Sequence, residues 1–432
     1  MKVLVLGGGA REHALADALT RSAARPEVLV APGNDGMRDV ARPVPAGLGD
    51  VEALADLAQR EAVDLTIAGS EEPLVRGVWD AFDARGLRLF GPSRAAAQLE
   101  GSKAFAKQFM RRHGIPTAGF EIHTDFDTAR AGLARAAFPL VVKADGLAAG
   151  KGVHVVPDAA AAEASLRAML VEGRYGDAGR VVVVEEALQG PEISVFALSD
   201  GYTFRLLGVV QDHKRANDGD RGPNTGGMGA YSPVPGLDRG LLADLEARFL
   251  APTLAGAVDE GMPYRGFLYL GLMLTAAGPQ LLEYNCRLGD PEAQVLLPRL
   301  ESDVLRLVGA AHAGDVGAAP LEMGAEAAVG VVLASEGYPE APRTGRRVRG
   351  LEAARATGAR VYCAGVAGTG ADLVTTGGRI CTVVGLGADV AAARRQAYEA
   401  VGHLEVEGAF YRRDIAARAL EGRAWLHRVS AS

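Results

Sequence analysis

Leu281-Leu282-Glu283-Tyr284-Asn285-Cys286-Arg287-Leu288-Gly289-Asp290-Pro291-Glu292 is the stretch that decides how this chain is read. It opens apolar and then sets a polar side chain at every second position. On a β-strand successive side chains point to opposite faces, so Glu283, Asn285 and Arg287 share one face while Tyr284, Cys286 and Leu288 take the other. A carboxylate beside an amide oxygen suits a hard, oxygen-seeking cation such as magnesium. A guanidinium two residues on suits an anion close to that metal. The competing reading is a charged surface strand, and the flanking sequence argues against it.

Upstream, Pro139-Leu140-Val141-Val142-Lys143 reads as a strand and Ala144 to Gly152 as a loop of small residues, with a second strand from Val153. The loop lacks the GxxxxGK[ST] spacing of a Walker loop and is followed by strand rather than helix. A glycine loop with Lys143 and Lys151 on either side suits a flap over a polyphosphate, where N–H groups and ammonium charge meet phosphate oxygens. A floppy surface hairpin would explain the glycines but not the buried-looking run that ends in Lys143. Before it, Leu99-Glu100-Gly101-Ser102 ends one helix and caps the next, Lys103 to His113, closed by Gly114 with Pro116 beyond. After it come an amphipathic helix from about Ala159 to Glu172, then a strand Arg180 to Val184 ending in Glu185-Glu186. Gln189-Gly190-Pro191-Glu192 opens another strand. Such an end can offer backbone groups to an adenine edge and a carboxylate to ribose hydroxyls, or it can be an ordinary turn. Gln211 to Gly229 shows neither helical nor strand periodicity, and a long irregular loop in a compact domain is functional or disordered. Asp212, His213 and Lys214 look more like a substrate site than a linker, with His213 read as a loop-ordering residue ahead of a catalytic base.

At the amino-terminal end, Val3 to Leu6 reads as a buried strand, followed by Gly7-Gly8-Gly9-Ala10 and a helical run near Arg11-Glu12-His13. A strand Val28 to Val30, a helix Val51 to Glu61, a strand Asp64 to Ala68 and a helix Pro73 to Arg85 follow. This alternation predicts a parallel sheet with helices on both faces. A substrate phosphate at the glycines and the helix start, with Arg11 beside it, is the functional reading; a plain tight turn is the bland one. A dinucleotide site would need an acidic residue about 20 residues on, at the end of the second strand. That strand instead ends Val30-Ala31-Pro32-Gly33, and Glu12 stands where the last glycine belongs, so NAD is set aside. Glu71 follows a strand at its carboxyl end, where open α/β sheets bind ligands, although adjacent carboxylates there also complement a helix dipole.

At 432 residues the chain is too long for one core and predicts three or four domains. A net charge of −7 gives no reason to expect nucleic acid or an anionic membrane as partner, so a phosphorylated ligand must be met by local sites. Cys286, Cys363 and Cys381 form no metal pattern or disulfide framework, which fits a reducing compartment. Lys2 to Leu6 is too short for a secretory apolar region and no run approaches a membrane span, so a cytoplasmic location is expected. Toward the carboxyl end, strands Ala328 to Ala334, Arg360 to Cys363 and Ile380 to Val384, with a helix from about Val390 to Gly402, predict an antiparallel sheet beside the core. The run Arg346-Arg347-Val348-Arg349 reads as a solvated strand face, and Cys363 and Cys381 as core.

Seven segments, in order, are GGGAREHA (Gly7 to Ala14), QLEGSKAF (Gln98 to Phe105), KADGLAAGKGV (Lys143 to Val153), QDHKR (Gln211 to Arg215), GPNTGGMGAYSP (Gly222 to Pro233), NCRLGDPEAQV (Asn285 to Val295) and VTTGGRI (Val374 to Ile380). Together the sequence resembles the ATP-grasp ligases and, within them, the phosphoribosylamine–glycine ligase family. The resemblance implies a multi-domain α/β fold. Its parts would be an N-terminal parallel, Rossmann-like domain (1–101), an ATP-grasp central subdomain (102–120 and 191–324), a lid subdomain with the glycine loop (121–190), and a C-terminal, mostly antiparallel domain (325–432). It also implies a reaction of purine synthesis in which ATP, glycine and 5-phosphoribosylamine give glycinamide ribonucleotide, ADP and phosphate through a glycyl phosphate. Carried over by position, Glu283 and Asn285 would hold magnesium or manganese. Lys103, Lys143, Gly150, Lys151, Gly152, Glu185, Glu186, Leu188 and Glu192 would hold ATP. Gly9, Arg11, Glu71, Asp212, Lys214, Asn224, Gly227, Arg287 and Asp290 would meet the two co-substrates, with Lys143, Lys214 and Arg287 catalytic by position and charge.

One departure matters. Many ATP-grasp enzymes carry a further metal-binding acid on the preceding strand, and Gly266 to Leu274 contains none. One protein-held ion completed by phosphate and water is therefore expected. Small-molecule partners are implied, with transient contact to the enzyme that supplies phosphoribosylamine and a monomer or small homo-oligomer as the assembly. Another ATP-grasp ligase of a different purine intermediate, and a nucleotide-sensing module without turnover, are the alternatives.

Overall fold

The computed structural model describes residues 1–147 and 152–421. Val3, Leu4, Val5 and Leu6 are fully buried, as a strand covered on both faces requires. Their strand, Lys2–Gly7, is the middle of a five-stranded parallel sheet, flanked by Glu27–Pro32 and Leu65–Ala68 with Arg42–Pro43 and Leu89–Phe90 at the edges. Asp50 caps the helix Val51–Arg60 by accepting the Ala53 N–H at 3.0 Å. The single helix expected from Pro73 to Arg85 is two, Glu71–Val75 and Val78–Asp83. Between them Gly77 adopts φ +89°, a conformation that breaks a right-handed helical path and costs glycine least.

A second, four-stranded antiparallel sheet runs in the order Phe120–His123, Val182–Glu186, Leu140–Ala144, Val153–Val156. Its small separate core joins Leu140 and Val142 to Leu133, Leu166 and Met169 of two covering helices, Phe126–Leu133 and Ala159–Leu170. Lys143 is the odd neighbour of those inward residues, so alternation turns it away from the helices. Val182–Glu186 keeps Glu185 and Glu186 within the strand, opposite Val141 and Leu140, where the sequence predicted that it would end at Val184.

The central sheet has eight strands, every neighbouring pair antiparallel. Their order is Gly278–Asn285, Tyr264–Thr275, Glu192–Gly201, Phe204–Asp212, Gly229–Ser232, Ala327–Ala334, Arg379–Gly387, Arg360–Cys363. The carboxyl-terminal strands therefore extend the same sheet through Gly229–Ser232. Gln211 to Gly229, expected to be irregular, is ordered. Phe204–Asp212 runs through Gln211 and Asp212, and Arg215–Asn217 pairs with Arg221–Asn224 as a hairpin. Arg221–Asn224 is exposed along its whole length, so there was no apolar alternation to read. Among the described residues no helix is long and apolar enough to cross a membrane.

Candidate active site

The strand Gly278–Asn285 brings Glu283 opposite Gly271 of its neighbour. Tyr284, Cys286 and Leu288 are buried while Glu283, Asn285 and Arg287 are partly open, the alternation its sequence implies. A Cβ on Gly271 would lie 3.2 Å from Glu283 Cγ and 3.3 Å from the Tyr269 ring. A larger side chain at Gly271 would therefore press on Tyr269 and Glu283. Among the described residues, no group of three or more His, Cys, Asp or Glu is arranged to hold a metal. The donors at the strand end are the Glu283 carboxylate and the Asn285 amide oxygen, an all-oxygen set that fits a hard divalent cation completed by non-protein ligands. Burial pushes the Glu283 carboxyl up, but Lys214, Lys143, Lys103 and Arg287 together outweigh it and hold it below the usual carboxylate range.

The lysines of this cluster come from three elements. Lys103 opens the helix Lys103–Arg112, whose cap Ser102 accepts the Phe105 N–H at 3.0 Å. Asp145 ties that helix start to the root of the glycine loop, accepting the Ala104 N–H at 2.6 Å and the Ser102 hydroxyl at 2.9 Å. Lys103 Nζ donates to the Gly146 carbonyl at 3.1 Å. Burial pulls the Lys103 ammonium down, with Glu283 opposing. Lys143 Nζ donates to Glu185 Oε2 at 2.9 Å, and the same oxygen lies 3.0 Å from Lys107 Nζ. The other Glu185 oxygen is buried without a partner. Glu186 is exposed and accepts the Gly119 N–H at 3.3 Å, while Leu188 is partly exposed. Gly150 and Lys151 lie outside the described residues; Gly152 accepts the Ala144 N–H at 2.8 Å.

Lys214 forms the third corner, 2.9 Å from Glu192. Burial lowers its pKa, but Glu192, Tyr269, Asp212 and Glu283 raise it well above the ordinary value. Burial pushes the nearby Asp212 carboxyl up to about 7, with Lys214 opposing and Glu292 and Glu192 adding. Glu292 is itself buried and accepts the Ser194 hydroxyl at 3.2 Å.

A second charge network joins this corner to the amino-terminal sheet. Arg11 Nε donates to Glu12 at 2.6 Å, Arg11 Nη1 donates to the Leu288 carbonyl at 3.2 Å, and Arg11 Nη2 lies 3.6 Å from Glu71. Arg287 Nε donates to Glu71 at 3.1 Å and Arg287 Nη2 sits 2.8 Å from Glu100. Burial raises the Glu71 carboxyl, but Arg287 and Arg11 outweigh it and bring it down to about 2. Glu12 also accepts the Gly9 N–H at 2.7 Å, so a carboxylate of this chain occupies the turn where a dinucleotide would place phosphate. A Cβ on Gly9 would meet Asp290 Oδ2 at 3.3 Å, which sets the first glycine turn against the Asp290 turn. Arg379 holds that turn from the far end of the sheet, donating to the Asp290 carbonyl at 2.7 Å and the Gly226 carbonyl at 2.9 Å. At Gly227, with φ +114°, any Cβ would lie 2.3 Å from Pro291 Cδ, so only glycine lets the two loops meet.

The structure therefore gathers Glu283, Asn285, Arg287, Lys103, Lys143, Lys214 and Asp212 at one strand end, with Gly9, Arg11, Glu71 and Asp290 adjoining it. Asn224 lies on the exposed hairpin, its backbone paired with Arg215. Residues that sequence reasoning passed over are Glu12, Glu100, Lys107, Glu292 and Arg379. Lys107 was findable, since it sits four residues after Lys103 and hence on the same helix face. The Glu100 partnership spans 186 residues of sequence and leaves no local signal. Neither Cys286 nor His213 is placed as a nucleophile. Cys286 is buried, with its thiol raised by burial, and His213 accepts the Ala416 N–H at 3.1 Å as an anchor for the carboxyl-terminal segment.

Antiparallel strands Leu140–Ala144 and Val153–Val156, with Lys143 on the first, beside an acid–amide strand end ringed by lysines, define an ATP-grasp ligase. The biotin carboxylase of Campylobacter jejuni shares the fold with a TM-score of 0.74 at 15% identity, covering 99% of this chain and 96% of that one; the likeness is one of fold alone. The chain belongs to the phosphoribosylglycinamide synthetase family, whose N domain matches residues 1–100, ATP-grasp (A) domain 101–293 and C domain 328–418. The phosphoribosylamine–glycine ligase of Allochromatium vinosum is 49% identical over 423 residues, 97% of this chain and 99% of that protein. The crystal structure of the Thermotoga maritima phosphoribosylamine–glycine ligase superposes with a TM-score of 0.85 at 36% identity, covering 96% of this chain and all of the other.

Proposed function

We propose that this chain joins glycine to 5-phosphoribosylamine at the expense of ATP, giving glycinamide ribonucleotide, ADP and phosphate in de novo purine synthesis. The observation that carries the reading is the convergence of Glu283, Asn285 and Arg287 with Lys103, Lys143 and Lys214 at one strand end. A glycine carboxylate oxygen attacks the γ-phosphorus and ADP leaves. The amine of phosphoribosylamine then attacks the acyl carbon, phosphate departs, and the amine loses a proton. Neither step needs a protein nucleophile, so placement and charge supply the catalysis.

Lys103, Lys143 and the glycine loop with Gly150, Lys151 and Gly152 take the phosphates. The unpaired Glu185 oxygen, with Glu186 and Leu188, meets the adenine edge, and Glu192 the ribose. Glu283 and Asn285 would hold Mg2+ or Mn2+, which when bound would neutralise charge on the phosphate oxygens. Arg287 receives the glycine carboxylate or its acyl phosphate. Lys214, Asp212, Asn224, Gly227, Gly9, Arg11, Glu71 and Asp290 surround the two co-substrates. The domain division at 1–101, 102–120 with 191–324, 121–190 and 325–432 belongs to the same reading, as do a cytoplasmic location, a monomer or small homo-oligomer, and transient contact with the enzyme that supplies phosphoribosylamine.

ADP formation measured with each co-substrate omitted in turn tests it. Release is expected only with glycine, phosphoribosylamine and a divalent cation all present; full release without glycine or without phosphoribosylamine refutes the assignment.

A further inference from the structure

Glu100 stands on the short helix Gln98–Gly101, between the parallel sheet and the ligase core, with its side chain only 5% exposed. One of its oxygens accepts the Cys286 N–H at 2.7 Å and the other lies 2.8 Å from Arg287 Nη2. A single carboxylate thus grips the backbone between Asn285 and Arg287 and the guanidinium itself. The other Arg287 contacts differ in kind. Nη1 donates to its neighbour Leu288 at 3.2 Å and Nη2 to Asn285 Oδ1 at 3.2 Å. Nε donates to Glu71, whose side chain is 34% exposed. A planar guanidinium offers its donors in a fixed fork, so pinning one corner sets the direction of the others. An incoming carboxylate can replace the half-open Glu71, but the buried Glu100 stays.

We propose that Glu100 is a positioning residue for the ligation, holding Arg287 and the chain at Cys286 in the orientation that receives glycine. The inference rests on the reading that Arg287 meets glycine. It explains why a carboxylate is buried between the Cys286 N–H and the Arg287 guanidinium. It also links the helix that leads into Lys103 to the strand end that carries Asn285.

Burial pushes the Glu100 carboxyl up to about 7 against the pull of Arg287. Glu100→Gln, assayed at pH 8 where the parent is therefore ionised, keeps the length and an acceptor for the Cys286 N–H but removes the charge that orients Arg287. Its glycine KM is expected to rise about tenfold, the size of one charge-assisted hydrogen bond, while the ATP KM changes less than about twofold. Arg287→Lys, assayed beside it, must also raise the glycine KM. In the double variant, Glu100→Gln should add less than about twofold to Arg287→Lys, because each change removes the same interaction. An Arg287→Lys that leaves the glycine KM unchanged refutes the reading of Arg287 and the proposal with it. If Arg287→Lys raises it while Glu100→Gln does not, if the two effects multiply in full, or if glycine and ATP KM rise equally, Glu100 is a merely structural group and the inference alone falls. Should Glu100→Gln fail to fold, Glu100→Asp, which keeps the charge but shortens its reach, must raise the glycine KM selectively; equal glycine KM values in Glu100→Asp and the parent overturn the proposal.

Discussion

Replacing Asp212 by asparagine should make the protein more stable and less active, and the size of the gain can be worked out. Asp212 ends the strand Phe204–Asp212 and is 8% exposed. Burial lifts its carboxyl from 3.8 to about 7, the attraction of Lys214 being insufficient to hold it down. The difference, about three pH units, corresponds to about 4 kcal/mol of native-state cost above pH 7. Glu292 shares the burden of that buried negative charge, so the gain on removing Asp212 alone is smaller, on the order of 2 kcal/mol.

The sign follows from proton binding. Between pH 4 and 7 the folded protein holds a proton at Asp212 that the unfolded chain has released, so the parent loses stability as pH rises through that window. The advantage of Asp212→Asn should therefore be full at pH 8 and fall to about a third of that at pH 5, where only the lower part of the window has been crossed. Melting temperatures of parent and variant, compared without substrates at both pH values, measure it directly. Equal stability at pH 8, or a gain of the same size at pH 5, would show that Asp212 is not the titrating group and refute the reasoning. ADP formation by the variant should fall despite the gain, since a site that carries an unfavourable buried charge keeps it for function.

Glu283→Gln should raise the divalent-cation concentration needed for half-maximal ADP formation by about tenfold or more in a chain that still folds, though at a lower melting temperature because its lysines lose their carboxylate; an unchanged metal requirement would sink the assignment of Glu283. Arg379→Gln removes the donor that ties the Asp290 carbonyl to the Gly226 carbonyl. Its phosphoribosylamine KM should rise at least about fivefold with the ATP KM unaltered, since two hydrogen bonds and the ion pair to the Asp290 carboxylate at 3.2 Å are lost; an unaltered phosphoribosylamine KM would mean that the Asp290 turn holds its shape without Arg379.

What could be read from the sequence follows the range of the forces involved. The strand Lys2–Gly7, the capped helix Lys103–Arg112 and the alternation of Glu283, Asn285 and Arg287 are local patterns, and each is where its residues placed it. The break at Gly77 was missed because one glycine in an apolar-periodic run is compatible with a continuous helix. The hairpin Arg215–Asn217/Arg221–Asn224 was missed because Arg221–Asn224 is exposed throughout and its partner buries only Ala216, too little to write a period into the sequence. The deeper loss was of charge partners. Which carboxylate meets Arg287 is settled by Glu100 and Glu71, residues 187 and 216 positions away that only the packed sheets bring into reach.

Those partners have a common logic. Each cation in the cluster that has an ion pair has it with a carboxylate of this chain: Lys143 with Glu185, Lys214 with Glu192, Arg11 with Glu12, Arg287 with Glu100 and Glu71. An unpaired buried charge would cost several kcal/mol, so a pocket of this polarity can fold before its anionic ligands arrive only if acids of its own stand in for them. Burial then sorts the acids into two kinds. Glu185, Glu12 and Glu100 are at most 5% exposed and sit where they cannot leave, so they fix the direction of the cation they hold. Glu192 and Glu71, 37% and 34% exposed, can swing off Lys214 and Arg287 when a phosphate or carboxylate takes their place, leaving Glu192 free for the ribose and Glu71 for the co-substrates. Ligand binding at this strand end is on that account an exchange of one anion for another. That keeps the desolvation already incurred by the lysines and arginines, and it makes the buried acids, rather than the cations they hold, the residues that set the geometry of the reaction.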